Sequence, residues 1–308
     1  MAARIETASA LTSHGSRKPT ARGLADAAVR TCLARSGKKP GDVDMLINTG
    51  IYREDNMGEP ALAALIQEDI GANLGQSPAG GPGTFSFDLS NGTCGVISAI
   101  RLESGLLRSG VIRLGAIVTS DVDPRLRDPG TAPFRPAGGA MLLGWDDTDT
   151  GFTEFGAETF PEYQDLFVSG LVWRERRGLR VPRGAAGQSQ MVIDSEPGYH
   201  ARLADCAEEA VHRFLRRLGV GISEIDLLVP APSSPGFLDT LRVRLGVPGD
   251  RVAYVAEDLA GGYTTGPIAA LQAAIRSGRL GEARNTLMLA AGAGITVALA
   301  LYRQEPSC

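Results

Sequence analysis

Two stretches of this chain repeat each other, and this internal repeat limits the folds that the chain can adopt. The first, NGTCGVISAIRLESGLLRSG, covers residues 91–110, and the second, GGYTTGPIAALQAAIRSGRL, covers residues 261–280. Similar apolar runs lie upstream, VDMLI at 43–47 and IDLLV at 225–229. The same order of predicted strands and helices occurs twice, which indicates a duplication. In this register Cys94 corresponds to Thr265.

Both halves contain buried strands that alternate with amphipathic helices. This alternation predicts an α/β protein with largely parallel sheets. We divide the chain into an N-terminal half, residues 1–155, and a C-terminal half, residues 156–308, which begins with a crossover segment at 156–198. The crossover is expected to be irregular. The polar first 20 residues are expected to be loosely ordered.

The composition is that of an ordinary globular protein. Of the 308 residues, 43% are hydrophobic and 21% are charged, and the net charge is −4. This charge gives no reason to expect nucleic-acid binding. The N-terminal stretch lacks the apolar core of a signal peptide, and the most apolar stretch, residues 287–302, is interrupted by glycine and short for a membrane span. We therefore expect a cytoplasmic protein that does not enter a membrane.

The four cysteines show no CxxC pair and no metal-ligand spacing, so no metal and no cofactor are expected. Cys32 and Cys206 lie on apolar helix faces and are interpreted as packing residues. Cys308 ends the sequence and is expected to be mobile. Cys94 is different, because it follows an apolar strand pattern and precedes a buried helix pattern.

Cys94 is therefore a candidate nucleophile. The start of a helix offers unpaired N–H groups and a positive dipole end, and both favour the reactive thiolate. On this basis Cys94 is expected to be alkylated faster than the other three cysteines near neutral pH. The alternative is that Cys94 is a small core residue, as many free cysteines are.

A duplicated α/β chain with a cysteine at this turn resembles the thiolase-fold condensing enzymes, and most of all ketoacyl-ACP synthase III. The resemblance covers about residues 40–308 and is carried by FDLSNGTCGVISAI at 87–100, TSDV at 119–122, IDLLVPAPSS at 225–234, GGYTTGPIAAL at 261–271 and AAGAGITVALALYR at 290–303. It implies a five-layer α/β/α/β/α fold with two pseudo-symmetric halves. It also implies a homodimer, or a heterodimer with a homologous subunit.

The resemblance implies roles for individual residues. Cys94 would take an acyl group from an acyl-carrier-protein or CoA thioester, and the backbone N–H groups of Cys94 and Ala293 would form an oxyanion hole. Further polar contacts could come from Ser233, Ser234, Tyr263, Thr264 and Thr265, or these residues could serve only the turns in which they lie. A carrier could dock on the basic residues of the crossover, Arg174, Arg176 and Arg177, or these could be a solvated surface.

The chain departs from the family pattern at two catalytic positions. Ala231 stands where the family has histidine, and the turn at Tyr263 lacks the family's asparagine. Those two residues stabilise the enolate formed by decarboxylation, so decarboxylative condensation is not expected here. None of the three histidines, His14, His200 and His212, lies at the motif position. The N-terminal segment also lacks the family's CoA-gripping Trp/Arg region, which favours a carrier-protein thioester as the donor.

Three functions remain open from the sequence. The first is an acyltransferase that passes the acyl group from Cys94 to an acceptor, in fatty-acid-like or polyketide metabolism. The second is a catalytically silent or pocket-shaping subunit of a heteromeric ketosynthase. The third is a cysteine-dependent thioesterase.

Overall fold

The computed structural model describes residues 2–12, 19–54, 58–75, 83–122, 135–148, 150–174, 188–231, 236–255, 259 and 261–305. The strands are β1 (Ala2–Thr12), β2 (Met45–Asn48), β3 (Phe85–Asp88), β4 (Leu114–Asp121), β5 (Ala137–Asp146), β6 (Gly151–Thr159), β7 (Phe167–Arg174), β8 (Gln188–Ser195), β9 (Leu227–Pro230), β10 (Asn285–Gly292) and β11 (Thr296–Arg303). The helices are α1 (Ala21–Ser36), α2 (Leu62–Ile70), α3 (Gly95–Arg108), α4 (Tyr199–Leu218), α5 (Phe237–Arg244), α6 (Gly266–Arg276) and α7 (Arg279–Glu282). None of the helices in these ranges is long and apolar enough to cross a membrane.

Within the described residues, nine strands form one mixed sheet in the order β3-β2-β4-β5-β1-β6-β11-β10-β9. The strands of the N-terminal half lie together at one side, and those of the C-terminal half follow in mirrored order. The halves join where Ala3 of β1 pairs with Phe152 of β6. The pairs β2–β3, β2–β4 and β9–β10 are parallel, whereas β5 and β11 pair with their neighbours in antiparallel fashion. The expectation of largely parallel sheets is therefore wrong near the middle, where β11 follows β10 after three residues, a connection that only antiparallel strands allow.

Three apolar clusters divide the molecule into layers. The central cluster joins α3 and α6 to one face of both half-sheets. A second cluster packs α1 and α2 on the other face of the N-terminal half-sheet, and a third packs α4 and α5 on the C-terminal one. The layers follow one another as helices, the N-terminal half-sheet, helices, the C-terminal half-sheet and helices. This arrangement confirms the five-layer fold with two similar halves.

The repeat extends to single hydrogen bonds. The Asp44 carboxylate accepts two backbone amides at the start of β4, and Asp226 accepts two amides at the start of β10 in the same way. Cys94 immediately precedes α3, and Thr265 immediately precedes α6. The two residues therefore lie at corresponding helix starts, as the register of the repeat predicts.

The N-terminal residues form the strand at the centre of the sheet, so the expectation of a loosely ordered segment is wrong for residues 2–12. The alternating side chains of β1 are small, and Ala3, Ala8 and Ala10 are buried. The Gln272 side chain of α6 accepts from the Ala10 amide at 2.7 Å and donates to the Ala10 carbonyl at 3.1 Å. Alanine gives only a weak apolar period, and for this reason the sequence pattern does not show the strand.

The crossover segment at 156–198 carries regular structure, contrary to expectation. Strand β6 continues to Thr159 and pairs with β11. Strands β7 and β8 then form a separate antiparallel pair, in which Phe167 lies opposite Ser195. Apolar residues at exposed positions of this pair, such as Val168 at 60% exposure, interrupt the apolar–polar alternation that predicts a strand. The division of the chain at residue 155 stays a prediction.

Candidate active site

Cys94 lies in the turn between β3 and α3, as the sequence predicts. Residues Gly92–Cys94 form a short 3₁₀ turn, in which Gly92 has a φ of +52°. Glycine adopts this left-handed conformation without steric cost, and the chain can therefore turn sharply into α3. Cys94 is only 1% exposed. The turn thus directs the thiol into the interior of the protein.

The sulfur of Cys94 faces the C-terminal strand pair. Its Sγ atom lies 3.4 Å from the carbonyl oxygen of Thr296 and 3.6 Å from that of Ala290. Thr296 begins β11 and Ala290 lies near the end of β10, so the thiol of one half contacts the hairpin of the other half. The thiol donates, because a carbonyl oxygen can only accept.

The glycine loop of the C-terminal motif closes on the same turn. The Thr93 hydroxyl donates to the carbonyl of Ala291 at 2.6 Å. A Cβ atom on Gly292 would lie 2.8 Å from Thr93 Oγ1 and 4.0 Å from Cys94 Sγ. The missing side chain of Gly292 therefore makes room for the Cys94 turn. The structure thus brings together the two motifs that the resemblance connects.

Burial raises the pKa of the Cys94 thiol to about 12, and the hydrogen bond with Thr93 opposes only part of this shift. A raised pKa does not favour the thiolate that the sequence predicts at this helix start, and the reactivity of Cys94 stays a prediction. The amides of the turn are used locally, since the Cys94 N–H donates to Asn91 at 3.0 Å and the Gly95 N–H donates to Gly92. The sulfur also lies against two carbonyl oxygens, which favour the protonated form, while a backbone hydrogen bond from Ala298 opposes part of the rise.

The oxyanion hole requires the amides of Cys94 and Ala293. The first is bonded to the Asn91 carbonyl. Ala293 lies in the turn between β10 and β11 and is exposed. The hole stays a prediction, and it requires a substrate oxygen to replace the Asn91 carbonyl as the partner of the Cys94 amide.

Ala231 directly follows β9 and is fully buried. Its amide donates to the Leu289 carbonyl of β10 at 2.7 Å, so a methyl group occupies the position at which the resemblance places an imidazole. His200 and His212 lie on the exposed surface of α4, and His14 lies outside the described residues. In the part of the chain that the structure describes, histidine therefore supplies no base in the buried site.

Two tyrosine side chains meet beside the Cys94 turn. The ring centroids of Tyr52 and Tyr263 are 5.3 Å apart, and their side chains share a hydrogen bond. The Tyr263 hydroxyl lies 3.5 Å from the point at which a side chain on Gly92 would begin. Tyr199, at the start of α4, completes the group: burial raises its pKa, and a charge on Cys94 would raise it further. Burial likewise raises the pKa of Tyr52 to about 12. The hydroxyls of Tyr52 and Tyr199 are therefore neutral hydrogen-bond donors at physiological pH.

Asp121 holds the two loops that carry these tyrosines. It is the last residue of β4 and is fully buried. Its Oδ1 atom accepts the amides of Ile51 and Tyr52 at 3.1 and 2.9 Å. Its Oδ2 atom accepts both the amide of Thr264, at 2.8 Å, and the Thr264 hydroxyl. Burial raises the pKa of Asp121, and these hydrogen bonds oppose the rise.

The other predicted pocket residues have different outcomes. Thr264 serves Asp121, and the hydroxyl of Thr265 is buried without a hydrogen-bond partner among the described residues. Ser233, Ser234, Arg176 and Arg177 lie outside the described residues, and Arg174 ends β7. Their roles stay predictions.

Sequence reasoning missed Tyr52, Tyr199 and Asp121. Tyr52 follows the carboxyl end of β2, and ligand sites of open α/β sheets lie outside such strand ends, so this rule could have found it. Asp121 lies in the TSDV motif, but a motif alone does not show which backbone amides a carboxylate binds. No signal marks Tyr199, because it follows a segment that is expected to be irregular.

Comparisons with known proteins agree with this geometry. The family model described as 3-oxoacyl-[acyl-carrier-protein (ACP)] synthase III C terminal matches residues 215–304. The beta-ketoacyl-[acyl-carrier-protein] synthase III of Acidiphilium cryptum is 28% identical over 285 residues, which cover 90% of this chain and 82% of the relative. The enzyme of the same name from Thermosynechococcus vestitus is 26% identical, with 92% and 83% covered. The names of these relatives agree with the predicted class, an acyltransferase-type enzyme.

Solved structures show the same fold. FabH, the 3-oxoacyl-(acyl carrier protein) synthase III of Pseudomonas aeruginosa PAO1, superposes with a TM-score of 0.76 at 18% identity, covering 100% of both chains. A variant of Xanthomonas campestris OleA with bound lauric acid and lauroyl-CoA superposes with a TM-score of 0.79 at 14% identity, covering 99% of both chains. The chain therefore has the thiolase-like fold, and it is similar to the ketoacyl-ACP synthase III enzymes over nearly its whole length.

Proposed function

We propose that this protein is a ketosynthase III-like acyltransferase that carries the acyl group on Cys94. The observation that carries the proposal is the contact of the Cys94 turn with the glycine hairpin at Gly292, within a fold shared with these synthases. The donor is a thioester of acyl-carrier protein or CoA, and the acceptor completes a reaction of fatty-acid-like or polyketide metabolism. A cytoplasmic location and a dimer belong to the same proposal.

The first chemical step is a thioester exchange. The Cys94 sulfur attacks the thioester carbonyl, a new carbon–sulfur bond forms, and the bond to the carrier sulfur breaks. The proton of the Cys94 thiol ends on the released carrier thiol. Because burial raises the pKa of Cys94 to about 12, loss of this proton limits the step. Acylation is therefore expected to become faster as the pH rises.

Decarboxylative condensation is not part of the proposal. Ala231 provides no hydrogen-bond donor from its side chain, and it is fully buried. Each donor that is removed from an oxyanion site costs on the order of 10²–10³ in rate. We expect an acyl adduct on Cys94 but little release of carbon dioxide from malonyl-carrier protein.

Intact-protein mass spectrometry tests the proposal. The protein is incubated with acetyl and octanoyl thioesters of CoA and of acyl-carrier protein, over a range of pH. The expected result is one acyl group on the unmodified protein and on Cys206→Ala, which changes another buried free thiol, and none on Cys94→Ala. An adduct that survives Cys94→Ala, or no adduct with any thioester, contradicts the proposal. Prompt release of free acid would indicate the thioesterase.

A second candidate is a pocket-shaping subunit of a heteromeric ketosynthase. The absence of an imidazole at Ala231 and the raised pKa of the Cys94 thiol favour it. This candidate predicts stable co-purification with a homologous subunit that has histidine at the corresponding position. It also predicts that Cys94→Ala leaves the activity of the complex unchanged, whereas the acyltransferase predicts a loss.

A further inference from the structure

One buried carboxylate joins the two tyrosine-bearing loops beside Cys94. We propose that Asp121 is a positioning residue that holds the hydrogen-bonded Tyr52–Tyr263 pair where one of its hydroxyls donates a hydrogen bond to the carbonyl oxygen of the acyl group being transferred. The inference rests on the proposed acyl transfer at Cys94, and it names the residues that prepare the site for it.

The two oxygens of Asp121 serve different halves of the molecule. Oδ1 accepts two amides from the loop that follows β2, including that of Tyr52 at 2.9 Å. Oδ2 accepts the amide of Thr264 at 2.8 Å and its hydroxyl, in the turn that precedes α6. Tyr263 is the neighbour of Thr264 in this turn. The carboxylate therefore fixes the backbone of Tyr52 directly and that of Tyr263 through the next residue.

The equivalent strand end of the C-terminal half carries no acid. Asp44 and Asp226 bind the starts of β4 and β10 in the same way. This equivalence aligns the two eight-residue strands, one from each half, residue by residue. In this register Asp121, the last residue of β4, corresponds to Gly292, the last residue of β10. The C-terminal half thus ends the equivalent strand without a carboxylate. A role specific to the N-terminal strand end explains why a fully buried carboxylate is found there.

The tyrosine pair lies at the edge of the nucleophile's turn. The Tyr263 hydroxyl is 3.5 Å from the side-chain position of Gly92, two residues before Cys94. The ring centroids of Tyr52 and Tyr263 are 5.3 Å apart, so each restrains the other. When the Cys94 sulfur attacks, negative charge develops on the thioester carbonyl oxygen, and a neutral phenol can donate to it without losing its proton. The tyrosines keep their protons, and the thiol proton still ends on the released carrier thiol.

A double-mutant cycle on acyl-Cys94 formation tests the inference. The variants are Tyr263→Phe, Asp121→Asn and the two combined, with acetyl and octanoyl thioesters as probes and the adduct followed by mass. Tyr263→Phe is expected to lower the rate on the order of 10²-fold, as for one lost oxyanion donor. Asp121→Asn is expected to lower it similarly, because misplacement by about 1 Å can cost 10²-fold. The combined variant should be no slower than the slower single variant, since both changes remove the same contact.

Asp44→Asn is the matched control. Asp44 also accepts two backbone amides, at 2.7 and 3.2 Å, but at the opposite end of β4 from Asp121. The Asp44→Asn variant is expected to lower stability while leaving the acylation rate within about twofold, because Asp44 does not contact the loops that hold the tyrosines. If Asp121→Asn does not fold, Thr264→Val is used instead. It removes one of the four hydrogen bonds that Asp121 accepts, and it should lower the acylation rate by a smaller factor.

The outcomes separate the inference from the proposed function. If the unmodified protein forms the adduct and Tyr263→Phe and Asp121→Asn react at its rate, the inference fails and the acyltransferase stands. If the combined loss equals the product of the single losses, Asp121 does not act through the tyrosines. If no thioester reacts, absorbance titration of the tyrosine hydroxyls tests the positioning role of Asp121. In Asp121→Asn the pKa of these hydroxyls should lie closer to the ordinary value of about 10. An unchanged titration contradicts the positioning role.

Discussion

The Thr93 hydroxyl donates to the carbonyl of Ala291 at 2.6 Å, and this bond joins the turn of the nucleophile to the hairpin of the other half. Thr93→Val keeps the shape of the side chain and removes the donor. We expect the free energy of unfolding to fall by about 1–3 kcal/mol, since a buried acceptor loses its hydroxyl partner. Urea denaturation measures the change. Thr93→Ser keeps the hydroxyl and should lose less, and equal losses for both variants would contradict the role of this bond.

Cys94 is expected to react slowly with iodoacetamide at pH 7, contrary to what its place at a helix start predicts. Burial raises its pKa to about 12 and those of Cys32 and Cys206 to about 12 and about 11. The thiolate is the reactive species, so the alkylation rate should rise about tenfold per pH unit until the protein unfolds. Peptide mapping by mass gives the rate at each cysteine. Rapid alkylation of Cys94 at pH 7 would show that its amide environment outweighs burial.

Asp26 of α1 and Asp69 of α2 share a hydrogen bond, and Arg22 binds Asp69. Burial raises the pKa of Asp26 to about 7, and the hydrogen bond and charge of Asp69 act in the same direction. Between its ordinary pKa of 3.8 and about 7 the folded state holds a proton that the unfolded state has lost. The contribution to stability is therefore complete at low pH and falls as the pH rises, by at most about 1.4 kcal/mol per pH unit.

Asp26→Asn tests this pair, because the amide stays neutral at every pH. Urea denaturation between pH 4.5 and 8 should show a flatter pH dependence than that of the unmodified protein. Asp165→Asn, at an exposed position, should keep the original slope. Identical slopes for Asp26→Asn and the unmodified protein would refute the raised pKa.

Glu103 is expected to cost the protein stability. Its side chain is fully buried in α3, and neither carboxyl oxygen has a hydrogen-bond partner among the described residues. Burial raises its pKa well above the ordinary value, so the group folds as the neutral acid. Glu103→Met should increase the free energy of unfolding by about 1–3 kcal/mol at pH 7, because it removes an unsatisfied polar group. A destabilised Glu103→Met protein would indicate that an unseen partner satisfies the acid.

The proposed dimer has a candidate surface at strand β3. This strand lies at the edge of the main sheet, and Phe85 on it is 63% exposed. Such an edge can pair with a second sheet. Phe85→Lys is expected to weaken the dimer in light scattering at micromolar concentration, whereas Val111→Lys, at an equally exposed apolar residue, should leave it intact. A monomeric unmodified protein would disprove the dimer.

The sequence predicts the parts of the fold that depend on local periodicity and on the repeat. The correspondence of Cys94 with Thr265 follows from aligned glycine turns, and the contact of Cys94 with the loop at Gly292 follows from the resemblance. The sequence pattern does not predict strand β1, because most of its buried side chains are alanines, such as Ala3 and Ala10. A pattern of small residues carries little information about which face is buried.

The chemistry of the site is less predictable from the sequence. Burial raises the pKa of Cys94, and residues that help to bury its sulfur, such as Thr296 and Ala290, lie about two hundred residues away in the chain. The link between Tyr52 and Tyr263 through Asp121 likewise exists only after both halves have folded. Such contacts between distant segments have no local signature.

The central place of β1 also shapes how the chain can fold. Strand β1 leaves the ribosome before its partner β5, and its contact with β6 at Phe152 comes later still. Pairing over such sequence distances slows folding and leaves strand edges exposed in the meantime. During synthesis β1 therefore stays an unpaired strand until residues 137–146 have been made, a period in which a chaperone could bind it. Strand β1 is thus made before either of the strands that pair with it.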